Sequence, residues 1–210
     1  MRPESDPFRP SVFFPHARLR LAPLAPGGGI VEGETVLNPE FHPPAGFKAR
    51  PAAVLIPVVG RDEPTLLMTR RTATLRQHAG QISFPGGSID PEDADAAAAA
   101  IREAQEEIGL DPALVEPIGR LDPYIAGTGF HITPVVARVD PRHHLVLNPH
   151  EVDLAFEVPL AFLMSPRNHH IGSREFDGVR HSFYEMPYDE HYIWGITAGI
   201  IRGLYERLFA

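Results

Sequence analysis

The sequence predicts an α+β fold, a mixed β-sheet covered by helices on both faces. Three observations predict it. Ala52 to Val59 (AAVLIPVV) is an apolar run with the texture of a buried strand. Ala96 to Leu110 carries apolar residues at helical spacing, and a second such segment closes the chain from about His191 to Leu208. Short strand-like runs lie between these helices, and strands mixed with two helices satisfy their apolar faces as a layered sheet.

The chain has 210 residues, the size of one ordinary domain or one domain with an appendage, and 43% of it is apolar, enough for a sizeable core. Asp and Glu outnumber Lys and Arg by 27 to 19, a formal net charge of −8. A broad nucleic-acid or anionic-membrane surface needs a basic footprint and is not expected. There are no cysteines, which excludes disulfides, thiolate zinc sites, iron–sulfur ligation and a cysteine nucleophile. Lys48 is the single lysine beside 18 arginines, which argues against Schiff-base and P-loop chemistry. Met1 to Pro15 has no apolar h-region, no run of about 18 apolar residues exists, and the last three residues are no targeting tripeptide, so a cytoplasmic location is expected.

The elements follow in order. Residues 1–51 hold nine prolines before residue 50 and the run Gly27-Gly28-Gly29, and read as an irregular Pro-rich arm that Val12, Phe13 and Phe14 could pin down. Residues 52–59 form a strand, 60–64 a turn and 66–69 its hairpin partner. Ile82 to Phe84 is short and β-like, and Pro85-Gly86-Gly87 breaks the pattern. The clearest helix follows. Asp93 or Asp95 caps it, Ala96 to Ala100 is a run of the best helix former, and Ala97, Ile101, Ala104 and Ile108 make its buried stripe. Gly109 supplies the left-handed residue at its end. Further strands are expected at 115–121, 132–139, 154–158 and 181–186. The last helix buries Ile193, Thr197, Ile200, Ile201, Leu204 and Leu208, while Gly195, Gly199 and Gly203 make a flat face open to close packing or to a ligand.

The chemistry concentrates between Gly86 and Leu110. That segment has seven acidic residues and one basic residue, Arg102. Glu103 and Glu107 are one helical turn apart and Glu106 shares their sector. Like charges so placed cost a helix roughly 0.2–0.5 kcal/mol per pair. A hard divalent cation reverses the sign, since Mg²⁺ takes one or two carboxylates with waters and substrate phosphates. The plain alternative is a solvated acidic helix face.

The segment Arg102-Glu103-Ala104-Gln105-Glu106-Glu107-Ile108-Gly109-Leu110 resembles the signature of the Nudix hydrolases. Gly87 stands one residue further from Arg102 than the general signature has it, and the early glutamate falls at Ala94. This longer front half resembles one branch, the coenzyme A pyrophosphatases. So do Leu66 to Arg70, Leu75 to Gln81 with Arg76 and His78, Phe84 to Gly87, and matches onward to Ile201. The resemblance covers about residues 52 to 205. It implies a Nudix-type α/β/α sandwich over 52–210, and hydrolysis of the CoA pyrophosphate to 3′,5′-ADP and 4′-phosphopantetheine.

The resemblance also implies Mg²⁺ or Mn²⁺ as cofactor, with Glu103 and Glu107 as ligands and Glu106 as third ligand or water-orienting base. Arg102 is expected to orient the glutamates. Gly86 and Gly87 let the backbone approach the phosphates. Arg70, Arg71, Arg76 and His78 either read the CoA phosphates, which suit arginine forks, or pair with the acidic segment. Glu151 and Glu157 are candidates for a base outside the helix. The partner is thus a small nucleotide substrate. A Nudix enzyme for ADP-ribose or NADH, and a non-catalytic nucleotide-binding module, remain as alternatives. The oligomeric state is open.

Overall fold

The computed structural model describes residues 6–25, 32–40, 49–75, 78–127, 129–176 and 178–210. Helix α1 (Pro10–Arg20) and a two-residue strand β1 (Glu32–Gly33) precede the hairpin of β2 (Arg50–Val59) and β3 (Thr65–Arg71). Two short strands follow, β4 (Ile82–Ser83) and β5 (Gly86–Ser88), and then helix α2 (Ala96–Ile108). Strands β6 (Val115–Arg120), β7 (Tyr124–Ala126), β8 (Phe130–Val139) and β9 (Val152–Pro159) lead to the one-turn helix α3 (Leu160–Leu163). The chain ends with β10 (His170–Phe176), β11 (Val179–Tyr188), β12 (His191–Trp194) and helix α4 (Ile196–Phe209).

Among the described residues, nine strands form the main sheet, in the order β1-β7-β8-β2-β3-β4, with β5 on β2, β6 on β8 and β9 on β3. The sheet is mixed, as expected: β2 runs parallel to β8 over ten residue pairs and antiparallel to β3. Alternate β2 residues enter opposite cores. Ala52, Ile56 and Val58 join the α1 and α4 side, and Ala53, Leu55 and Val59 join the α2 side. A strand buried on both faces reads as a continuous apolar run. Strands β10, β11 and β12 make a separate antiparallel sheet, whose Met186 and Ile193 are buried in the α4-side core.

Helix α2 begins where Asp95 accepts a bond from the Ala98 amide at 2.8 Å, and ends at Gly109 with φ +65°. Its buried side is Ala97, Ala100, Ala104 and Ile108, with Ile101 only half-buried. A side chain at Gly109 would meet the Val146 carbonyl oxygen 2.8 Å away, so glycine meets both the turn and the packing.

Three expectations are corrected. Residues 10–20 are helical where an irregular arm was expected. Pro10 takes the first turn, where a missing N–H costs nothing. Pro15, inside the helix, costs about 3 kcal/mol. Burial of Phe13 and Phe14, at roughly 1.5–3 kcal/mol each, offsets that, while Val12 stays exposed. Second, Gly86–Ser88 does not break the strand pattern but pairs with β2, Val54 opposite Gly86 and Ala53 opposite Gly87. Third, residues 191–194 are a strand. Gly195, at φ +64°, separates them from α4.

Candidate active site

Helix α2 lays its last two turns over β5, and this brings the acidic residues to the glycine pair. Glu107 is only 3% exposed, and its Oε2 accepts the Gly86 amide at 3.3 Å. Glu103 lies against Gly87: a Cβ there would stand 2.5 Å from Glu103 Oε1. The absence of a side chain at Gly87 is therefore what seats the Glu103 carboxylate. Glu106, on the outer side, is 55% exposed.

Arg102 gathers the acidic segment. Its Nε and Nη2 donate to Asp93 at 3.1 and 2.9 Å, its Nη1 to Glu103 at 3.0 Å and Glu106 at 3.2 Å, and Nη2 also to the Ser88 carbonyl at 3.1 Å. The fork of Arg102 holds Asp93 below the usual carboxylate range. This explains why Asp95 rather than Asp93 caps the helix.

Arg71 reaches the site from β3. Its Nη1 is 3.6 Å from Glu107 Oε1. The β3–β9 register shifts between Arg70 and Arg71, passing over Asp153. Such a bulge re-aims neighbouring side chains. Arg70 therefore pairs with Asp153 at 2.7 Å, while Arg71 turns to Glu107. Arg71 Nε is buried without a hydrogen-bond partner among the described residues.

Glu151 comes from the far loop. Asn148 and Val146 donate their amides to the carbonyls of Glu107 and Ile108, both at 2.9 Å, satisfying the helix end. The Asn148 side chain then holds Glu151 at 2.9 Å. Its charge acts on both Glu103 and Glu107. Burial pushes Glu103 upward against the pull of Arg102. Burial pushes Glu107 up to about 8, opposed by Arg71 and the Gly86 amide and reinforced by Glu151 and Glu103.

Other expected residues lie elsewhere. Glu157 takes a bidentate bridge from Arg61 at 2.7 and 2.6 Å and a bond from Thr65. It stands five residues along β9 from Val152, on the order of 17 Å at strand rise. His78 is exposed and bonds Gln81 at 2.9 Å. Arg76 lies outside the described residues. Arg71 was named in sequence only as one of a cluster, and its pairing with Glu107 depends on the bulge, which leaves no local signal.

Among the described residues, no three acidic or histidine side chains converge as a ready metal set. Arg102 holds Glu103 and Glu106, and Glu106 is exposed where Glu107 is buried. The donor chemistry nonetheless fits a hard cation. Glu103 and Glu107 are oxygen donors whose charged forms burial disfavours, and a divalent ion would stabilise those forms.

A mixed sheet between helices, with helix carboxylates seated on a glycine pair, defines a class of enzymes built for phosphate chemistry. The chain belongs to the Nudix family: the NUDIX domain model matches residues 49–195. It is similar to the uncharacterized Nudix hydrolase NudL of Cronobacter sakazakii, 47% identical over 76% of this chain and 83% of that one. It is also 42% identical to a NudL of Yersinia pestis over 76% of this chain and 80% of that one. Among solved structures, a Caenorhabditis elegans Ap4A hydrolase complex matches at 20% identity and TM-score 0.45, over 52% of this chain and 80% of that one.

Within that family, the chain is a Nudix-type pyrophosphohydrolase of a nucleoside-diphosphate-linked substrate. No helix among the described residues is long and apolar enough to cross a membrane.

Proposed function

We propose that the chain hydrolyses the pyrophosphate bond of coenzyme A to 3′,5′-ADP and 4′-phosphopantetheine, with Mg²⁺ or Mn²⁺, in the cytoplasm. One observation carries the reading. The segment from Leu66 to Gln81, which resembles the branch motif, delivers Arg71 to the buried Glu107 at 3.6 Å. A cation from the branch-like segment facing a carboxylate of the signature supports the reading.

Glu103 and Glu107 hold the metal ion, which when bound supplies charge neutralisation on the phosphates. The Gly86–Gly87 backbone lies where it can approach the pyrophosphate. Arg102 fixes Glu103 and Glu106 in place, and Arg71 offers Nη1 to Glu107 and an Nε without a partner among the described residues. Glu151, held by Asn148, is the carboxylate outside the helix that can take the proton of the attacking water, with Glu106 the alternative on the outer edge. Water oxygen bonds to one phosphorus, the bridging P–O bond breaks, and the bridging oxygen leaves with the other phosphate.

The test is incubation with CoA, ADP-ribose and NADH in Mg²⁺ or Mn²⁺, with products identified by mass. 3′,5′-ADP and phosphopantetheine, lost in Glu107→Gln, are the expected result. Turnover of the other substrates alone overturns the CoA assignment.

A further inference from the structure

A cleft of about 630 Å³ lies between α4, the three-stranded sheet and residues 33–38. Its lining is mixed: the rings of Phe183, Tyr184 and Trp194 stand beside the cations Arg174 and Arg202. Gly33, Val36, Leu37 and Asn38 form one wall, and they precede residues 49–195, which the family model matches.

That wall completes a strand edge. Strand β12 pairs with β11 only from Glu185 to Tyr188, and the Gly195 amide then donates to the Tyr184 carbonyl at 3.0 Å. Gly195, at φ +64°, turns the chain away into α4. Alternate residues of a strand present their N–H and C=O to the same side, so the next such groups on this edge of β11 belong to Ser182. Asn38 covers them. Its Oδ1 accepts the Ser182 amide at 2.7 Å, and its Nδ2 donates to the Ser182 carbonyl at 3.0 Å. A carboxamide carries an acceptor and a donor side by side, as a peptide group does. Asn38 thus stands where β12 supplies no further residue, and it closes an edge that would otherwise be open.

The segment is fixed at both ends and exposed between them. At its start, Glu32 and Gly33 pair in parallel with Tyr124 and Ile125 of β7. Gly33 is buried, and a Cβ there would overlap the Ile125 carbonyl oxygen, so glycine is what lets the chain lie so close. At its end Asn38 is buried. Thr35 and Val36, between the two, are exposed, and so are Pro39 and Glu40 beyond. A segment with so few buried residues opens locally at a cost well below that of global unfolding. The two ends also join different bodies, the main sheet through β7 and the three-stranded sheet through β11.

We propose that residues 33–38 are a strap latched across the cleft. The bond pair between Asn38 and Ser182 is the latch, and the pairing of Gly33 with β7 is the hinge. Release of the latch opens the cleft and bares the β11 edge, so entry to the cleft is controlled by a segment outside the family match. The strap does not depend on which pyrophosphate substrate is hydrolysed.

Two probes on the intact chain test it. Glu-C protease, which cuts after glutamate, reads the strap at Glu34–Thr35, inside the single turn Glu34–Val36. Trp194, the single tryptophan, lines the cleft and reads its opening by acrylamide quenching. Asn38→Ala removes both latch bonds. It is expected to speed the cut at Glu34 about tenfold, the change in open population that two hydrogen bonds of ordinary net strength give. Quenching of Trp194 is expected to rise with it, and Tm to stay within a few degrees. Asn38→Asp keeps the shape of the side chain but offers no donor to the Ser182 carbonyl, and is expected to open the strap as well. An unchanged cut in Asn38→Ala, or a strap that stays shut in Asn38→Asp, overturns the latch. A faster cut without greater quenching of Trp194 overturns the strap as a cover of the cleft. Cutting that rises equally at glutamates beyond residue 50 marks general loosening and overturns both.

Discussion

The guanidinium of Arg71 lies 3.6 Å from the carboxylate of Glu107, which is 3% exposed. Glu107 is buried against the Gly86 amide, and the Arg71 guanidinium faces it there. Arg71 opposes the burial that raises the Glu107 pKa, so removing it further disfavours the charged carboxylate that a metal ion needs. Arg71→Met is therefore expected to lower kcat/KM for CoA by about 10–100-fold, roughly 1.4–2.8 kcal/mol of transition-state stabilisation. Arg71→Lys restores charge but not the fork, and recovers part of the loss. Steady-state kinetics on both variants checks this, and unchanged kcat/KM in Arg71→Met defeats it.

The pH dependence of stability follows from Glu107. In the folded, metal-free chain its pKa is raised to about 8, above the ordinary value of 4.5. The folded state then binds more protons than the unfolded one between those values, so stability falls as pH rises. The contribution is fully present below about pH 4.5 and is lost by about pH 8. Thermal melts in EDTA are expected to show Tm falling across this window, with a shallower fall in Glu107→Gln. Mg²⁺ favours the charged carboxylate and is expected to raise Tm most at the alkaline end.

Gly86 and Gly87 separate a structural from a functional glycine. A Cβ at Gly86 would stand 2.7 Å from the Val54 Cα, and that backbone cannot yield without loosening the β2–β5 pairing. A Cβ at Gly87 would meet only the flexible end of Glu103. Gly86→Ala is expected to lower stability by about 1–3 kcal/mol. Gly87→Ala is expected to keep its Tm within a few degrees and to weaken Mg²⁺ binding, since Glu103 must move. Urea denaturation beside metal titration distinguishes the two, and equal Tm losses contradict the argument.

What the sequence revealed was what local chemistry decides. Helix α2 was legible because its alanine run, a capping aspartate and Gly109 agree with each other. The meeting of Glu103 with Glu107 followed from one helical turn. Helix α1 was not legible, because Pro15 argues against it locally and the buried faces of Phe13 and Phe14 argue for it only through tertiary packing. Strand β5 escaped because glycine has no strand propensity of its own; β2 imposes the pairing. The approach of Arg71 and Glu151 was hidden for a similar reason. One depends on a register shift beside Asp153, and the other on a loop that caps α2 through Asn148.

The packing of α1 gives a direct measurement. Phe13 is fully buried and Phe14 nearly so, with Arg138 5.1 Å over the Phe14 ring. Phe13→Ala is expected to cost about 3–5 kcal/mol, the usual range for a buried phenylalanine. Chemical denaturation reads it as a lower midpoint with unchanged slope. A loss under 1 kcal/mol would mean that α1 does not hold its place in solution.

Glu151 and Glu157 are both acidic residues of the β9 region, and their surroundings assign them different work. Glu151 is held by Asn148 beside Glu103 and Glu107, where its charge bears on both. Glu157 is bound by Arg61 and Thr65, and the Arg61 fork holds its carboxyl below the ordinary range. A depressed carboxylate contributes stability above its unfolded pKa and loses it as pH falls through the folded value. Glu157→Gln should therefore flatten the acid limb of stability and leave kcat for CoA nearly unchanged. Glu151→Gln should lower kcat by about 10²–10⁴-fold, the range of a general base, while KM changes little. A pH–rate profile completes the comparison: the acid limb of kcat is expected to shift or vanish in Glu151→Gln alone. If Glu106→Gln removes that limb and Glu151→Gln does not, the proton acceptor lies on the helix and Glu151 serves the metal ion instead.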